Sequence, residues 1–361
     1  KMTPYDNEVY LIEMLRFFAA CSVLIWHYQH FALASIDASY DKNNLPFTEV
    51  IRIFYEIGGS GVLVFWCISG YIFFYKYNEL ITKNQVSLKR FVNNRFSRLY
   101  PLHFLTLIFV LIFQSSYYNS FGNYFVYQIN DLYHLILQFF FISYWGFEGG
   151  YSYNGPIWSV SLEIIVYIIF FISLKIFGKS NLFNITIILI CVLSKILTDT
   201  TYLLFDCIIF FYCGGLTYLL SNYLTDKKII KYFHSKNYFI FIILIPFLCW
   251  YFKIYEIKFF YFTFFLCYSC SILLLSSIKI NIEIKYLKII NILGNMTYGI
   301  YLIHFPFQLF IVYSLKYFGF SQFPIYENWF LLFYIFSVFF LAYISFKYFE
   351  LPIQKKIRSF I

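Results

Sequence analysis

Long apolar runs, separated by short polar stretches, recur from one end of the chain to the other. Runs of about 17–25 residues are long enough to cross the hydrocarbon core of a bilayer as helices. They fall at 11–33, 60–77, 99–115, 157–177, 182–198, 201–220, 238–253, 257–277, 294–316 and 329–348. A shorter run at 132–144 reaches only about 20 Å as a helix, so it is expected to lie at the membrane surface. The pattern predicts an all-α, polytopic membrane helix bundle of about ten transmembrane helices. No composition break or long linker interrupts it, so residues 1–361 are expected to form a single transmembrane domain with no additional soluble domain.

The polar stretches give an orientation. Residues 76–98 carry Lys76, Lys83, Lys89, Arg90, Arg95 and Arg98 against Glu79, whereas the 34–58 loop carries Asp37, Asp41, Glu49 and Glu56. Basic loops stay in the cytoplasm. If 132–144 does not cross, Lys175 and Lys179, Lys227 to Lys236, Lys279 to Lys288 and Lys347 to Arg358 also fall inside. If it crosses, all of them move outside, so the first arrangement is preferred and both termini are expected to be cytoplasmic.

Composition agrees with a lipid-facing exterior. The 361 residues are 61% hydrophobic and 12% charged, with a mean hydropathy of +0.69; soluble domains carry about twice that charge. The net charge of +9 would suit nucleic acid, but its placement in short loops between apolar runs argues against a nucleic-acid partner. The eight cysteines lie mostly inside apolar runs and read as small buried hydrophobes. Cys267 and Cys270 have no second pair to complete a zinc site, so no metal is expected. The first run follows Asp6, Glu8 and Glu13 rather than a basic segment, so it reads as a retained span despite Ala32-Leu33-Ala34.

An ionisable group at bilayer depth costs a few kcal/mol or more and calls for an explanation. Arg16 and His27 are eleven residues apart; at about 100° per residue they return to within about 20° of one face, about 16 Å apart along the axis. Arg16 either snorkels to the inner interface or presents a cation to the interior. His27 either bonds a neighbouring helix or does chemistry, and His30 is expected nearer the outer interface. In Gly155-Pro156-Ile157-Trp158-Ser159-Val160-Ser161-Leu162-Glu163, Glu163 should sit near the depth of His27, where a carboxylate can orient an imidazole. Trp158 is equally suited to the interfacial aromatic belt. Arg95 and Arg98 share a helix face and suit either a phosphorylated ligand or anionic lipid. Tyr298, Tyr301 and His304 recur every three residues, which predicts either a polar cavity or ordinary helix–helix bonds. Ser69-Gly70 closes a small-residue segment that permits close helix packing.

Taken in order, these segments resemble the acyltransferase family 3 membrane proteins, bacterial O-acetyltransferases of surface polysaccharides. Arg16 to His27 looks like the family's arginine-ten-residues-histidine signature, and Gly61 to Gly70 like its G-V-x-x-F-F-x-x-S-G segment. Arg95 to Pro101 resembles R-x-x-R-I-x-P, Trp158 to Glu163 resembles W-S-L-x-x-E, Leu293 to His304 resembles L-G-x-x-S-Y-x-x-Y-L-x-H, and Glu350-Leu351-Pro352 resembles E-x-P. Trp66, Cys67 and Thr297 depart from the more usual residues.

The resemblance implies a bacterial inner (cytoplasmic) membrane location, acetyl-CoA as cytoplasmic donor, and a polysaccharide or lipid-linked glycan as acceptor. On that reading His27 is a general base or transient acyl carrier, Glu163 orients it, and Arg16 holds the donor or stabilises the oxyanion. Arg95 and Arg98 bind CoA phosphates, while Tyr298, Tyr301, His304, Trp158, Ser159 and Ser69 line the substrate tunnel. The alternative is a glycan flippase or polymerase-like protein, or a secondary transporter, although no duplicated halves with broken spans are present. Sugar identity, hydroxyl position and oligomeric state have no sequence signal.

Overall fold

A helix is the form an apolar run takes in lipid, because the bilayer core offers backbone N–H and C=O groups no partner except each other. The computed structural model describes residues 8–34, 41–198, 202–227, 248, 250–253, 258–276, 284–320 and 322–360. Among these no strand occurs. The helices are α1 (Glu8–His27), α2 (His30–Ala34), α3 (Thr48–Ile57), α4 (Gly61–Thr82), α5 (Leu88–Phe121), α6 (Leu132–Phe139), α7 (Trp158–Phe177), α8 (Asn181–Thr198), α9 (Leu203–Asp226), α10 (Lys258–Ser276), α11 (Ile284–Tyr317), α12 (Asn328–Ile344) and α13 (Leu351–Ser359). A π-helical segment, Ser345–Glu350, joins α12 to α13.

Eight helical stretches among the described residues are long and apolar enough to cross a membrane: Leu11–Leu33, Thr48–Thr82, Leu88–Phe121, Gly155–Phe177, Asn181–Thr198, Leu203–Asp226, Tyr286–Tyr317 and Asn328–Ser359. The protein is therefore an all-α polytopic bundle. The run expected at 257–277 appears as α10, apolar over Phe262–Leu274. The run expected at 238–253 lies outside the described residues except at 248 and 250–253. The doubtful run at 132–144 yields only the eight residues of α6, about 12 Å of helix. Its first turn is capped by Asp131, whose carboxylate accepts from the His134 backbone N–H at 2.8 Å.

The chain packs as two compact units, and three of the five boundaries between them fall inside α1, α7 and α11. The first comprises residues 1–19, 60–87 and 165–294. Its centre is α4 against α9, where missing side chains let the backbones meet. A Cβ at Gly70 would run into the Phe211 carbonyl, and one at Gly214 into the Cys67 carbonyl. Stacking of Phe73 on Tyr167, with centroids 4.1 Å apart, fills the space beside them. Several charged groups in this unit are paired, among them Arg16 with Glu13 at 2.9 Å, Lys179 with Glu79 at 2.6 Å, and Lys195 with Asp206.

The second unit comprises residues 20–59, 88–164 and 295–361. Here α13 and the π-helical segment lie along the start of α5. Two prolines stand inside its helices, Pro101 in α5 and Pro306 in α11. A helical proline has no N–H for the carbonyl four residues back. At Pro306 that carbonyl belongs to Leu302, and the Asn154 amide supplies the missing bond at 3.2 Å.

Candidate active site

Three histidines meet in the second unit. The rings of His27 and His304 lie 4.6 Å apart, and those of His27 and His30 lie 4.9 Å apart. His27 Nδ1 donates to the Val23 carbonyl, one turn earlier, at 2.9 Å. His304 Nδ1 donates in the same way to Ile300 at 3.3 Å. A carbonyl only accepts, so Nδ1 carries a proton in both rings, and in the neutral imidazole Nε2 is then the lone pair. Nε2 of His304 has no hydrogen-bond partner among the described residues. Gln308 fixes the third ring: its Nε2 donates to the His27 carbonyl at 2.8 Å, which turns its Oε1 toward His30 Nδ1 at 3.3 Å. His27 is 7% exposed and His304 fully buried, so this basicity is shielded from bulk water.

Below the histidines, α11 presents a polar stripe. The Tyr301 hydroxyl donates to the Pro156 carbonyl at 2.7 Å and accepts from Ser159 Oγ at 2.8 Å. Its ring lies 6.0 Å from that of His304. One turn below Ser159, Glu163 is half-buried and stands within electrostatic reach of both Tyr301 and Tyr298. The sequence placed Glu163 beside His27. The hydrogen bonds found at His27 are with Val23 and Gln308, and the groups reached electrostatically by Glu163 include Tyr301 and Tyr298.

At the lower end of the stripe, Tyr298 donates to the Leu99 carbonyl at 2.6 Å, tying α11 to α5 beside Arg98. Arg98 and Glu350 both lie within electrostatic reach of the Tyr298 hydroxyl. Glu350 is buried and accepts from Ser345 Oγ at 3.0 Å. Gly299 packs against α12, since a Cβ there would press on Ala342 at 3.2 Å, with the Glu350 carboxylate just beyond at 3.4 Å. Arg95 is half-buried on the same helix. Arg358 of α13 donates to Ser97 Oγ at 3.2 Å, adding a third guanidinium to this end of the unit. The stripe from Tyr298 to Gln308 covers about 15 Å of helix and links the arginines to the imidazoles.

A family model described as an acyltransferase domain, Acyl_transf_3, matches residues 9–347. The chain belongs to the acyltransferase 3 family. No curated protein and no solved structure matches it. Membership supports membrane acyltransferase activity, the first of the two readings of the sequence.

Within this acyltransferase, the structure gathers His27, Glu163, Tyr298, Tyr301, His304, Trp158, Ser159, Arg95 and Arg98 in the second unit. Arg16 and Ser69 belong to the first, Arg16 on α1 bonded to Glu13 and Ser69 half-buried on α4. His30, expected nearer the outer interface, joins the histidine cluster, its Nδ1 hydrogen-bonded to Gln308. Gln308 itself, four residues beyond His304, carried a usable spacing signal. Asn154 and Tyr127, on the segment before α7, carried none. Among the described residues no three His, Cys, Asp or Glu side chains are placed to hold a metal ion. A cavity of about 520 Å³ lies among α5, α11 and α12, walled by Leu102, Phe109, Ile303, Phe307, Phe310 and Leu341 with Thr106, Ser345 and Tyr348 as its polar edges. It suits hydrocarbon and offers no charge to a phosphate.

Proposed function

We propose that this acyltransferase is an O-acetyltransferase of a bacterial inner membrane, moving an acetyl group from cytoplasmic acetyl-CoA to a sugar hydroxyl of a cell-surface or lipid-linked polysaccharide. The observation that carries this reading is the bare Nε2 of His27, buried against His304 at the head of a polar stripe that leads back to Arg98. A neutral imidazole with its Nδ1 proton fixed is ready to act as a base. In the proposed step, His27 Nε2 takes the proton of the sugar hydroxyl as the oxygen attacks the thioester carbonyl carbon. The C–S bond then breaks, and the proton passes from His27 to the departing CoA sulfur. The products are the O-acetyl sugar and free CoA.

Arg95 and Arg98 are the proposed partners of the CoA phosphates, since guanidinium forks match phosphate oxygens. Glu163 is a positioning residue in this scheme, acting on the Tyr301–Ser159 pair rather than on the imidazole. Tyr298, Tyr301 and His304 line the donor's path. The test is CoA release from acetyl-CoA by the purified protein, with and without mild-acid-released surface polysaccharide of the host. Glycan-dependent release should fall about 10²–10⁴-fold in His27→Ala, the usual contribution of a positioned base. Full activity in a folded His27→Ala protein would remove the assignment.

A further inference from the structure

The segment 122–157, between α5 and α7, has no span of its own yet is tightly fixed. Gln114 exchanges both amide hydrogen bonds with Phe125, at 2.9 Å each. Asn130 accepts from the Tyr153 N–H at 2.6 Å, and Gln138 donates to the Ser152 carbonyl at 2.8 Å. Trp145 Nε1 donates to the Ser161 carbonyl at 2.9 Å. Val126, Phe141 and Tyr153 are held at φ of 59°, 59° and 44°, a left-handed conformation that side chains rarely adopt and that persists only where the surroundings enforce it.

What this rigid segment presents is a cluster of aromatic rings. Tyr144 and Tyr151 stack with centroids 5.4 Å apart and planes at 15°. Trp158 lies 5.4 Å from Tyr144 and 6.2 Å from Tyr151. Tyr127 lies 6.0 Å from Tyr151 and 5.9 Å edge-on from His30. Gly155 makes that position available, because a Cβ there would enter the Tyr127 ring. Tyr151 is 41% exposed, with Glu148 near its hydroxyl. Rings therefore run without a break from an open surface to the histidine cluster.

An interfacial aromatic belt sets single rings against headgroups. Here the rings stack on one another, and the open edge carries a carboxylate. Burial pushes the Tyr127 and Tyr151 phenols above their ordinary range, so they stay neutral donors at physiological pH. A stacked aromatic face beside phenol and carboxylate groups matches a pyranose. The ring's C–H face carries partial positive charge and meets the negative face of an aromatic ring, and its hydroxyls meet the polar edge. We propose that Tyr127, Tyr144, Tyr151 and Trp158 form the acceptor subsite, a stacking platform for one pyranose ring whose neighbouring hydroxyl is delivered to His27. The assignment rests on the acyl-transfer reading above and gives its acceptor a place.

The test uses the full chain in nanodiscs, as wild type, Tyr151→Ala, Tyr151→Phe and Tyr223→Ala, the last an exposed tyrosine of the first unit. The probe is host surface polysaccharide released by mild acid. Binding is measured by equilibrium dialysis without acetyl-CoA, and CoA release is measured against polysaccharide concentration. Tyr151→Ala should weaken binding and raise the acceptor KM about tenfold, with a far smaller change in kcat. Tyr151→Phe keeps the stacking face and should stay within about threefold of wild type. Tyr223→Ala should behave as wild type. Transfer by Tyr151→Ala with a wild-type acceptor KM overturns the platform and leaves acyl transfer standing. Tyr151-dependent binding without CoA release supports the platform and overturns acetyl-CoA as the donor. Wild-type protein that binds no polysaccharide overturns the platform.

Discussion

Asn154 is where a single side chain answers for a helix defect. It is fully buried, and its Nδ2 bonds both the Leu302 carbonyl and Thr106 Oγ at 3.2 Å. Removing it leaves a buried carbonyl unsatisfied, a loss of about 1–3 kcal/mol. Asn154→Ala should therefore lower the Tm measured by thermal unfolding in detergent. Pro306→Ala restores a backbone N–H for the Leu302 carbonyl, so the double variant should recover part of that loss; an unchanged Tm in Asn154→Ala would refute the assignment. At this scale the sequence was readable wherever spacing on one helix carried the information. Tyr298, Tyr301 and His304 form the expected stripe because a helix repeats every 3.6 residues. The place of His30 in the cluster was not readable, because sequence reports depth along a span and not the partner across it. The contact that turns His30 inward comes from Gln308, 278 residues away in the chain.

Among the helices, small residues decide how close two can come. The Gly61–Gly70 segment was expected to permit close packing, and α4 meets α9 at Gly70 and Gly214, each against the other helix's carbonyl. Backbone cannot step aside as a flexible side chain can. Gly70→Leu should therefore force the two helices apart and destabilise the first unit by about 1–3 kcal/mol or more. A lower Tm is the expected outcome, and a Tm equal to wild type would mean that α4 and α9 do not meet there. Span positions followed from hydropathy, but helix lengths did not. Helix α5 begins at Leu88, well before the apolar run at 99, because Lys89 to Arg98 contains no residue that breaks a helix. That extension is what puts Arg95 and Arg98 on a helix. The π-helical Ser345–Glu350 had no signature in the apolar pattern, yet it is the turn that carries Glu350 to its buried place near Arg98 and Tyr298.

For the molecule as a whole, orientation in the membrane decides whether the proposed donor site faces its donor. On the ten-crossing reading, the lysines and arginines at the outer ends are Lys42, Arg52, Lys195, Lys253, Lys258 and Lys316, out of 27 in the chain. Several of these are neutralised or engaged locally. Arg52 pairs with Glu56 at 2.8 Å, Lys195 pairs with Asp206, and Lys316 donates to the Tyr117 hydroxyl at 2.7 Å. The rest, apart from Arg16 within α1, fall at the inner ends, and an excess of that size sets topology. A green fluorescent protein fused after Ile361 should then fluoresce, and alkaline phosphatase fused there should be inactive. Alkaline phosphatase inserted at Gly146–Gly149 should be active, because on the same reading that loop follows an outward crossing and lies outside. The reverse pattern would place Arg95 and Arg98 outside, away from cytoplasmic acetyl-CoA. It would overturn the proposed donor while leaving the histidine cluster and the family assignment untouched.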